Sequence, residues 1–241
     1  MTDPKARLGI LGADGRMGRA VEAANDGRYD VTARVTLDDP AYEHLSACDL
    51  IIDFSAGAAL VAALPHIQDG TALVSGTTGL SKPQDAAVLE AAKRLPILRS
   101  GNFSLGIAVL TKLAQQAARS LGAGWDIEIL EMHHKHKVDA PSGTALMLGE
   151  ACAAGRGVSL SDVAVHERAG LRKDGDIGFA VLRGGSVYGD HEVRLVSGSE
   201  MITLGHQALN RDVFAHGALS AADWLVGRAP ALYSMSDLIA T

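Results

Sequence analysis

Short apolar runs alternate with helical segments through the first hundred residues of the chain. The runs RLGIL, YDVTARV, LIIDF, ALVSG and PILRS have the length of strands, and a helix is expected near residues 17–26. Residues 58–67 and 84–95 have the length and Ala/Leu content of crossover helices, and Pro65 should end or kink the first. This alternation predicts a parallel sheet covered by helices, the architecture of an α/β domain.

The pattern changes after Asn102. A long helical stretch, LGIAVLTKLAQQAARSL, leads to WDIEILEM and then to AVHERA, IGFAVLRG, DHEVRLVSG and EMITLGHQA, which alternate partially and are joined by Gly/Ser turns. Consecutive strands of this kind predict a mainly antiparallel or mixed sheet in a second, α+β domain. The Ala-rich helix FAHGALSAADWLVG near the end of the chain could return to the first domain. We expect residues 1–104 and 214–241 to form one domain and residues 105–213 the other.

Composition narrows the classes of function. The chain has 241 residues, 47% of them hydrophobic, and a formal net charge of -6, so no global positive field would attract nucleic acid or an anionic membrane. It contains neither eighteen consecutive apolar residues nor an N-terminal signal segment, which predicts a cytoplasmic protein. Cys48 and Cys152 are the two cysteines and form no CxxC, so we expect buried, reduced thiols.

A glycine-rich turn follows the first predicted strand in LGILGADGRMGRA. Gly12, Gly15 and Gly18 lie between that strand and a helix, where backbone N–H groups and the helix dipole can face a pyrophosphate. The spacing is GxxGxxG and not GxGxxG, because Asp14 occupies the position of the middle glycine. A tight turn would explain the glycines alone, but the βαβ context favours a dinucleotide site.

Two further polar loops follow later strands of the same predicted sheet. Gly76, Thr77 and Thr78 follow the fourth strand, and SGNF, residues 100–103, follows the fifth. Each loop alone would be an ordinary turn. Since open α/β sheets bind ligands at the carboxyl ends of their strands, three such loops at one edge predict a cofactor groove of the Rossmann-like type.

The segment HHKHKVDAPSGTA, residues 133–145, concentrates histidines and lysines before a predicted helix. A metal site is disfavoured because Lys135 and Lys137 would repel a divalent cation, and a solvated basic loop is the plainer alternative. Ser142 is a natural N-cap, however, and Gly143 and Thr144 open the helix, so unpaired N–H groups lie near the basic side chains. We interpret the segment as a pocket for a carboxylate or phosphate, in a nicotinamide-dependent reductase of a small anionic substrate.

Five motifs together resemble one family. EMHHKHKVDAPSGTAL, GADGRMGR, SGTTG, SGNFSLG and HQALNRDVFAHGAL are similar to the 4-hydroxy-tetrahydrodipicolinate (dihydrodipicolinate) reductase family of diaminopimelate and lysine biosynthesis. The resemblance implies a Rossmann-like cofactor domain, a substrate domain whose open mixed sheet builds a homotetramer, NADH or NADPH as hydride donor, and a small dicarboxylate substrate.

The resemblance also assigns residues by position. His133 and Lys137 would be the catalytic pair, His134 a substrate contact, and Gly143 and Thr144 backbone donors to a substrate carboxylate, with either His133 or Lys137 delivering a proton. No metal is expected. The cofactor contacts would be Gly12, Ala13, Asp14, Gly15, Arg16, Met17, Gly76, Thr77, Thr78, Ser100, Gly101, Asn102, Phe103 and Arg211.

The second strand bears on the choice of cofactor. An NAD-specific domain usually carries Asp or Glu at the end of this strand to bind the ribose 2′-hydroxyl, but here that position falls near Val35 and Thr36. Two aspartates, residues 38 and 39, follow further on, while Arg16 and Arg34 could attract a 2′-phosphate. We predict that both cofactors bind and that NADPH binds at least as well as NADH.

Three other functions stay open on the sequence. A non-catalytic dinucleotide sensor would keep the glycine loop, a dehydrogenase of another small dicarboxylate would keep both sites, and a histidine-ligated metal hydrolase would hold stoichiometric metal.

Overall fold

A computed structural model describes residues 5–240 of the chain. They form two compact units: one extends to Leu105 and resumes at Arg211, and the other comprises Gly106–Asn210. Each unit has its own sheet.

The first unit contains a six-stranded parallel sheet. Its strands are β1 (Arg7–Leu11), β2 (Asp30–Val35), β3 (Leu50–Asp53), β4 (Ala72–Ser75), β5 (Pro96–Arg99) and β11 (Ala231–Tyr233), in the order β11-β5-β4-β3-β1-β2. β3 and β4 are buried at every position, as continuous apolar strands covered on both faces should be. The α/β prediction for this part of the chain is therefore confirmed.

Helices complete the first unit. They are α1 (Arg16–Ala24), α2 (Gly57–Ala63), α3 (Lys82–Ala91), α7 (Asp212–Leu225) and α8 (Met235–Leu238), with single 3-10 segments at Tyr42–Ala47 and Leu64–His66. The helix predicted over residues 58–67 ends at Ala63, and Pro65 lies in the 3-10 turn that follows. The Ala-rich helix α7 packs against α1 and β4 of this unit.

The second unit combines a mixed sheet with helices. Its strands are β6 (Asp126–His133), β7 (Ala164–Val165), β8 (Ile177–Arg183), β9 (Asp190–Val196) and β10 (Met201–Gln207). They lie in the order β10-β9-β6-β8-β7. The helices are α4 (Leu105–Leu121), α5 (Gly143–Arg156) and α6 (Leu160–Val163), with a 3-10 turn at Gly122–Gly124. β6 pairs parallel to β8 and antiparallel to β9. The prediction of a mixed sheet is confirmed.

One predicted strand, AVHERA, was largely wrong. Only Ala164 and Val165 are extended in the sheet. The chain leaves the sheet at the charged residues that follow, and Arg168 instead binds Glu128 at 2.8 Å. Partial alternation over six residues is thus too weak to predict a strand, because the charged Arg168 leaves the sheet and forms an ion pair with a residue of β6.

Alternation along β6 sets the core of the second unit. Ile127 and Ile129 are fully buried and form one apolar cluster with Val193 and Leu195 of β9 and with residues of α4 and α5. The same buried face continues to the C-terminal end of β6, where its next two positions are polar. Such polar groups need hydrogen-bond partners, and they mark the site described below.

No described helix combines the length and the apolar character that a membrane crossing requires. Cys48 and Cys152 are both buried free thiols, as expected.

Candidate functional site

The glycine loop between β1 and α1 is packed closely against neighbouring backbone. Gly12 has φ +81°, and a Cβ there would lie 2.7 Å from the carbonyl oxygen of Phe54. A Cβ on Gly18 would lie 2.2 Å from the carbonyl oxygen of Gly12. The N–H groups of Gly12 and Ala13 both donate to the carbonyl of Val35, at 2.9 and 3.1 Å. The first and third glycines are therefore required by backbone conformation and helix packing.

The N-terminus of α1 suits an anion. Gly15 is the N-cap and has no side chain to cap the helix, so the first-turn N–H groups and the positive end of the helix dipole can receive a ligand. Asp14 and Arg16 are exposed beside this turn, and Met17 is half-buried. This geometry fits a dinucleotide pyrophosphate.

A cavity of about 300 Å³ lies beside the glycine loop. Loops after β1, β2 and β3 line it, with mainly apolar residues: Leu11, Gly12, Asp14, Gly15, Val35, Thr36, Leu37, Pro40, Tyr42, Phe54, Ser55, Ala56 and Ala59. A concave apolar site next to an anion-binding turn fits the adenosine end of a dinucleotide.

The end of β2 presents a hydroxyl where NAD-specific domains present a carboxylate. Thr36 follows Val35 directly, and its Oγ1 accepts a hydrogen bond from the N–H of Asp39 at 3.0 Å. The guanidinium of Arg34 forms an ion pair with the carboxylate of Glu22 on α1, at 2.5 Å. Of the two arginines considered for a 2′-phosphate, Arg16 therefore fits the role better.

A buried carboxylate organises the loops after β3 and β4. Asp53 accepts hydrogen bonds from the N–H and hydroxyl of Ser55, at 2.9 and 2.5 Å, and from the hydroxyl of Ser75 at 2.6 Å. Burial raises the pKa of Asp53, and the hydroxyl donors oppose that rise. Gly76 follows, and a Cβ there would lie 2.2 Å from the ring of Phe54, so the start of the GTT loop is fixed by packing.

The loop after β5 is held by its own side chains. Ser100 Oγ accepts from the N–H of Asn102 at 3.1 Å, and Asn102 Oδ1 accepts from the N–H of Ser104 at 2.8 Å. Phe103 is 1% exposed, and its ring packs edge-on against Phe54 with centroids 5.5 Å apart. Its ring is therefore part of the core, and a cofactor contact from Phe103 would have to come from its backbone. Arg211 is exposed immediately before α7.

In the second unit, the basic segment begins at the end of β6. His133 is the last strand residue and is buried, whereas His134 is half-buried and donates its N–H to the carbonyl of Val187 at 2.7 Å. The N–H of Lys137 donates to the carbonyl of His134 at 3.1 Å, and its ammonium lies 2.9 Å from Asp139. The structure thus places His133, His134 and Lys137, the three basic residues predicted for the substrate site, in one turn.

The same segment leads into an open helix N-terminus. Ser142 is the N-cap of α5, and its Oγ accepts from the N–H of Ala145 at 3.2 Å. Gly143 is exposed, and apart from its chain neighbours and the backbone of its own helix no described atom lies within 4 Å of where its Cβ would be. The start of α5 is therefore accessible to an anionic ligand at Gly143, in the same segment as the basic residues.

Glu131, which lies in the EMHHKHKVDAPSGTAL motif but is not among the predicted site residues, binds three elements at this site. It is 2% exposed and lies 2.5 Å from His133 Nδ1. The N–H of Ser142 donates to it at 3.0 Å, and Arg183 at the end of β8 donates twice, at 2.8 and 2.9 Å. Burial would raise the pKa of Glu131, but the hydrogen bonds from Arg183, His133 and Ser142 outweigh it and hold the pKa below its ordinary value.

His191 on β9 completes the buried polar cluster. Its ring is edge-on to that of His133 with centroids 5.0 Å apart, and its Nε2 lies 3.3 Å from Ser142 Oγ. Burial, reinforced by the charge of a protonated His133, lowers the pKa of His191 to about 4. Strand alternation could have identified Glu131 from its spacing to His133, whereas Arg183 and His191 are recognisable only from the sheet register.

Within residues 5–240, no group of three or more His, Cys, Asp or Glu side chains is arranged to hold a metal ion.

Comparison with known proteins bears on both units. Sequence models described as dihydrodipicolinate reductase, N-terminus, and dihydrodipicolinate reductase, C-terminus, match residues 28–103 and 106–239. The chain belongs to the dihydrodipicolinate reductase family. The family assignment made from the five motifs is thereby confirmed.

Curated relatives cover nearly the whole chain. The chain is 46% identical to a 4-hydroxy-tetrahydrodipicolinate reductase of Caulobacter vibrioides, covering 99% of this chain and 98% of that protein. It is 44% identical to the protein of the same name from Zymomonas mobilis, with 98% of each covered. Among solved structures, a dihydrodipicolinate reductase from Paenisporosarcina sp. TG-14 aligns with a TM-score of 0.74 at 20% identity, over 95% of this chain and 97% of that one. That likeness confirms the predicted fold class.

Proposed function

We propose that the chain catalyses the NAD(P)H-dependent reduction of 4-hydroxy-tetrahydrodipicolinate to tetrahydrodipicolinate, a step of diaminopimelate and lysine biosynthesis. The observation that carries the proposal is the basic turn of His133, His134 and Lys137, which Glu131 joins to the N-cap of α5 by binding both His133 and the N–H of Ser142. A non-catalytic dinucleotide sensor has no use for such a pocket. The relatives that cover almost the whole chain carry the name of this reductase.

The substrate pocket matches a dicarboxylate. The N–H groups of Gly143 and Thr144 bind one carboxylate together with the dipole of α5, and Lys137 and His134 supply charge and hydrogen bonds to the rest of the ligand. The Paenisporosarcina enzyme was solved with dipicolinate bound, and dipicolinate carries two carboxylates. These roles follow from the resemblance and are supported by the exposure of Gly143 at the start of the helix.

The first unit takes the cofactor role. The turn at Gly12–Met17 holds the pyrophosphate, the adjoining cavity takes the adenosine, and the loops at residues 76–78 and 100–103, with Arg211, serve the nicotinamide half. When bound, NADPH or NADH supplies the hydride.

The reaction balances with one proton and one hydride. Loss of water from the hydroxylated ring gives a conjugated imine, hydride addition at the former hydroxyl carbon gives an enamine anion, and a carbon of that anion then takes a proton to restore the imine. Lys137 or His133 delivers that proton. The chain's other contribution is to neutralise the carboxylates and to orient the ring.

A turnover assay tests the function. Purified protein should consume NADPH or NADH, followed by absorbance, only when enzymatically generated 4-hydroxy-tetrahydrodipicolinate is present. Tight cofactor binding with no turnover would establish the sensor instead. Turnover that a chelator abolishes and zinc restores would point to the metal-dependent alternative.

The assembly and compartment follow the family as well. The homotetramer is built through the open face of the second sheet, where Met132 and Leu182 are paired across β6 and β8 and Leu182 is 55% exposed. The enzyme acts in the cytoplasm. Leu182→Asp should convert tetramers into smaller species in sedimentation velocity, whereas Leu89→Asp, at an equally exposed position on α3, should not. Monomeric wild-type protein would contradict the assembly.

A further inference from the structure

Glu131 has no part in the reaction as set out above, yet it is the most fully hydrogen-bonded carboxylate at the site. Its Oε2 faces His133 Nδ1 and Arg183, and its Oε1 faces the Ser142 N–H and Arg183. The interactions join β6, β8 and the N-cap of α5. A buried carboxylate held by three elements is rigid, so its position can fix that of a neighbouring side chain.

The protonation state of Glu131 determines the tautomer of His133. Hydrogen bonds hold the pKa of Glu131 below its ordinary value, so the group is an ionised carboxylate that only accepts hydrogen bonds. The nitrogen facing it, His133 Nδ1, must therefore carry a hydrogen. In a neutral ring the other nitrogen, Nε2, then has a free lone pair.

The surroundings of His133 favour the neutral ring. Burial lowers its pKa, and the charges of Lys137 and Arg183 lower it further, against the opposing effect of Glu131. The titratable groups that face it are Glu131 on its own strand, Arg183 on β8, His191 on β9 and Lys137 in the following turn. The net direction is downward, so at neutral pH the ring is a single, defined tautomer.

The structure also keeps space beside Nε2. Gly189 stands next to it, with φ +155°, and a Cβ at Gly189 would lie 3.1 Å from His133 Nε2. A glycine at this position leaves space beside His133 Nε2, the ring nitrogen that carries no hydrogen when Nδ1 donates to Glu131.

We propose that Glu131 is a positioning residue that holds His133 as the Nδ1–H tautomer and presents Nε2 as a hydrogen-bond acceptor for the substrate. Its bond to the Ser142 N–H ties the imidazole to the start of α5, so the acceptor and the carboxylate-binding turn keep a fixed geometry. Arg183 keeps the carboxylate ionised. The use of this acceptor rests on the proposed function, but the tautomer itself does not.

Glu131→Gln gives a specific prediction. Glutamine offers one acceptor oxygen and one NH₂ group in place of two acceptors. Arg183 and the Ser142 N–H can only donate, whereas His133 Nδ1 can become an acceptor by changing tautomer. The NH₂ group of Gln should therefore face His133 and move its hydrogen to Nε2.

The experiment reads the tautomer directly. Full-length protein with ¹⁵N-labelled histidine is examined by NMR at neutral pH, with the His133 signals assigned from a His133→Asn sample. Wild type should show Nδ1 protonated and Nε2 bare, Glu131→Gln should show the reverse, and kcat of the variant should fall by roughly tenfold or more, as when a catalytic histidine takes the wrong tautomer. Glu128→Gln is the matched control, because Glu128 is another arginine-paired glutamate on β6.

Several results would overturn the proposal. A wild-type His133 that is protonated on Nε2 overturns it alone, and this measurement does not depend on whether Glu131→Gln folds. Two results with a folded Glu131→Gln protein would also overturn it. One is a changed His133 tautomer with unchanged kcat, and the other is a lower kcat with an unchanged tautomer. A wild-type protein without reductase activity would refute the proposed function, and the NMR measurement would still decide the tautomer.

Discussion

Lys137 and His133 lie four residues apart, but their surroundings give them different chemistry. The buried ring of His133 has its Nδ1 beside a carboxylate, and its pKa is lowered. Lys137 lies in the turn, 2.9 Å from the more exposed Asp139, whose pKa its ammonium lowers. A neutral imidazole that already donates through Nδ1 has no second proton to give. The arrangement therefore favours Lys137 as the proton donor.

Replacement of Lys137 tests this assignment. Lys137→Ala should lower kcat by roughly 100-fold or more, the usual scale for a lost general acid, and leave the Kd of NADPH nearly unchanged. Lys135→Ala is the control, because Lys135 is exposed in the same segment. Steady-state kinetics with both variants would contradict the assignment if Lys137→Ala kept near wild-type turnover.

Cofactor choice also depends on single residues. Thr36, at the end of β2, carries a hydroxyl and not a carboxylate that would repel a 2′-phosphate. Arg16 is exposed at the start of α1 and could attract that phosphate. Arg16→Ala should weaken NADPH more than NADH. Thr36→Asp should reverse the preference toward NADH by adding the missing carboxylate.

Titration calorimetry with both reduced cofactors measures this preference. Arg34→Ala serves as the control, because its guanidinium is already bound to Glu22. A wild-type preference for NADH of about tenfold, or 1.4 kcal/mol, would mean that Asp38 or Asp39 binds the ribose 2′-hydroxyl and that the prediction for NADPH is wrong.

At the scale of elements, the N-terminus of α5 carries the predicted carboxylate site. Thr144 is its second residue, and the first turn of a helix tolerates the fixed φ of proline. Thr144→Pro should therefore remove one donor and raise KM for the substrate, while the Kd of the cofactor stays normal. Thr144→Ala keeps the N–H and separates the effect of the side chain. A folded Thr144→Pro protein with unchanged KM would refute the carboxylate clamp.

How far the sequence predicts each element depends on the range of the interactions involved. The glycine turn and the start of α5 were predictable because adjacent residues build them: Gly12 needs a positive φ, and Ser142 caps its own helix. The short edge strand β11 was missed, since three residues give too little periodicity to recognise. Arg183 and His191 reach Glu131 and His133 only through pairing between distant strands, which no local pattern encodes.

At the scale of the whole molecule, buried histidines should make the protein sensitive to acid. The pKa of His191 is about 4 in the folded protein, against 6.5 as its ordinary value, and burial also lowers the pKa values of His133 and His206. Well above pH 6.5 the ring of His191 is neutral in both states, so its titration does not change the free energy of unfolding there. As the pH falls, the unfolded chain binds the proton first, so the free energy of unfolding decreases until the folded ring also titrates near pH 4.

Urea unfolding at neutral pH and at pH 5 measures this loss. His191 should account for about 2 kcal/mol of it over that interval. His191→Gln should thus lower stability at neutral pH, because it disturbs the contact with Ser142, but should lose less further stability on acidification than wild type. His136→Gln, at an exposed histidine, should keep the wild-type pH dependence. If His191→Gln and wild type lost the same free energy between the two pH values, the buried neutral ring would not be the source of the acid sensitivity.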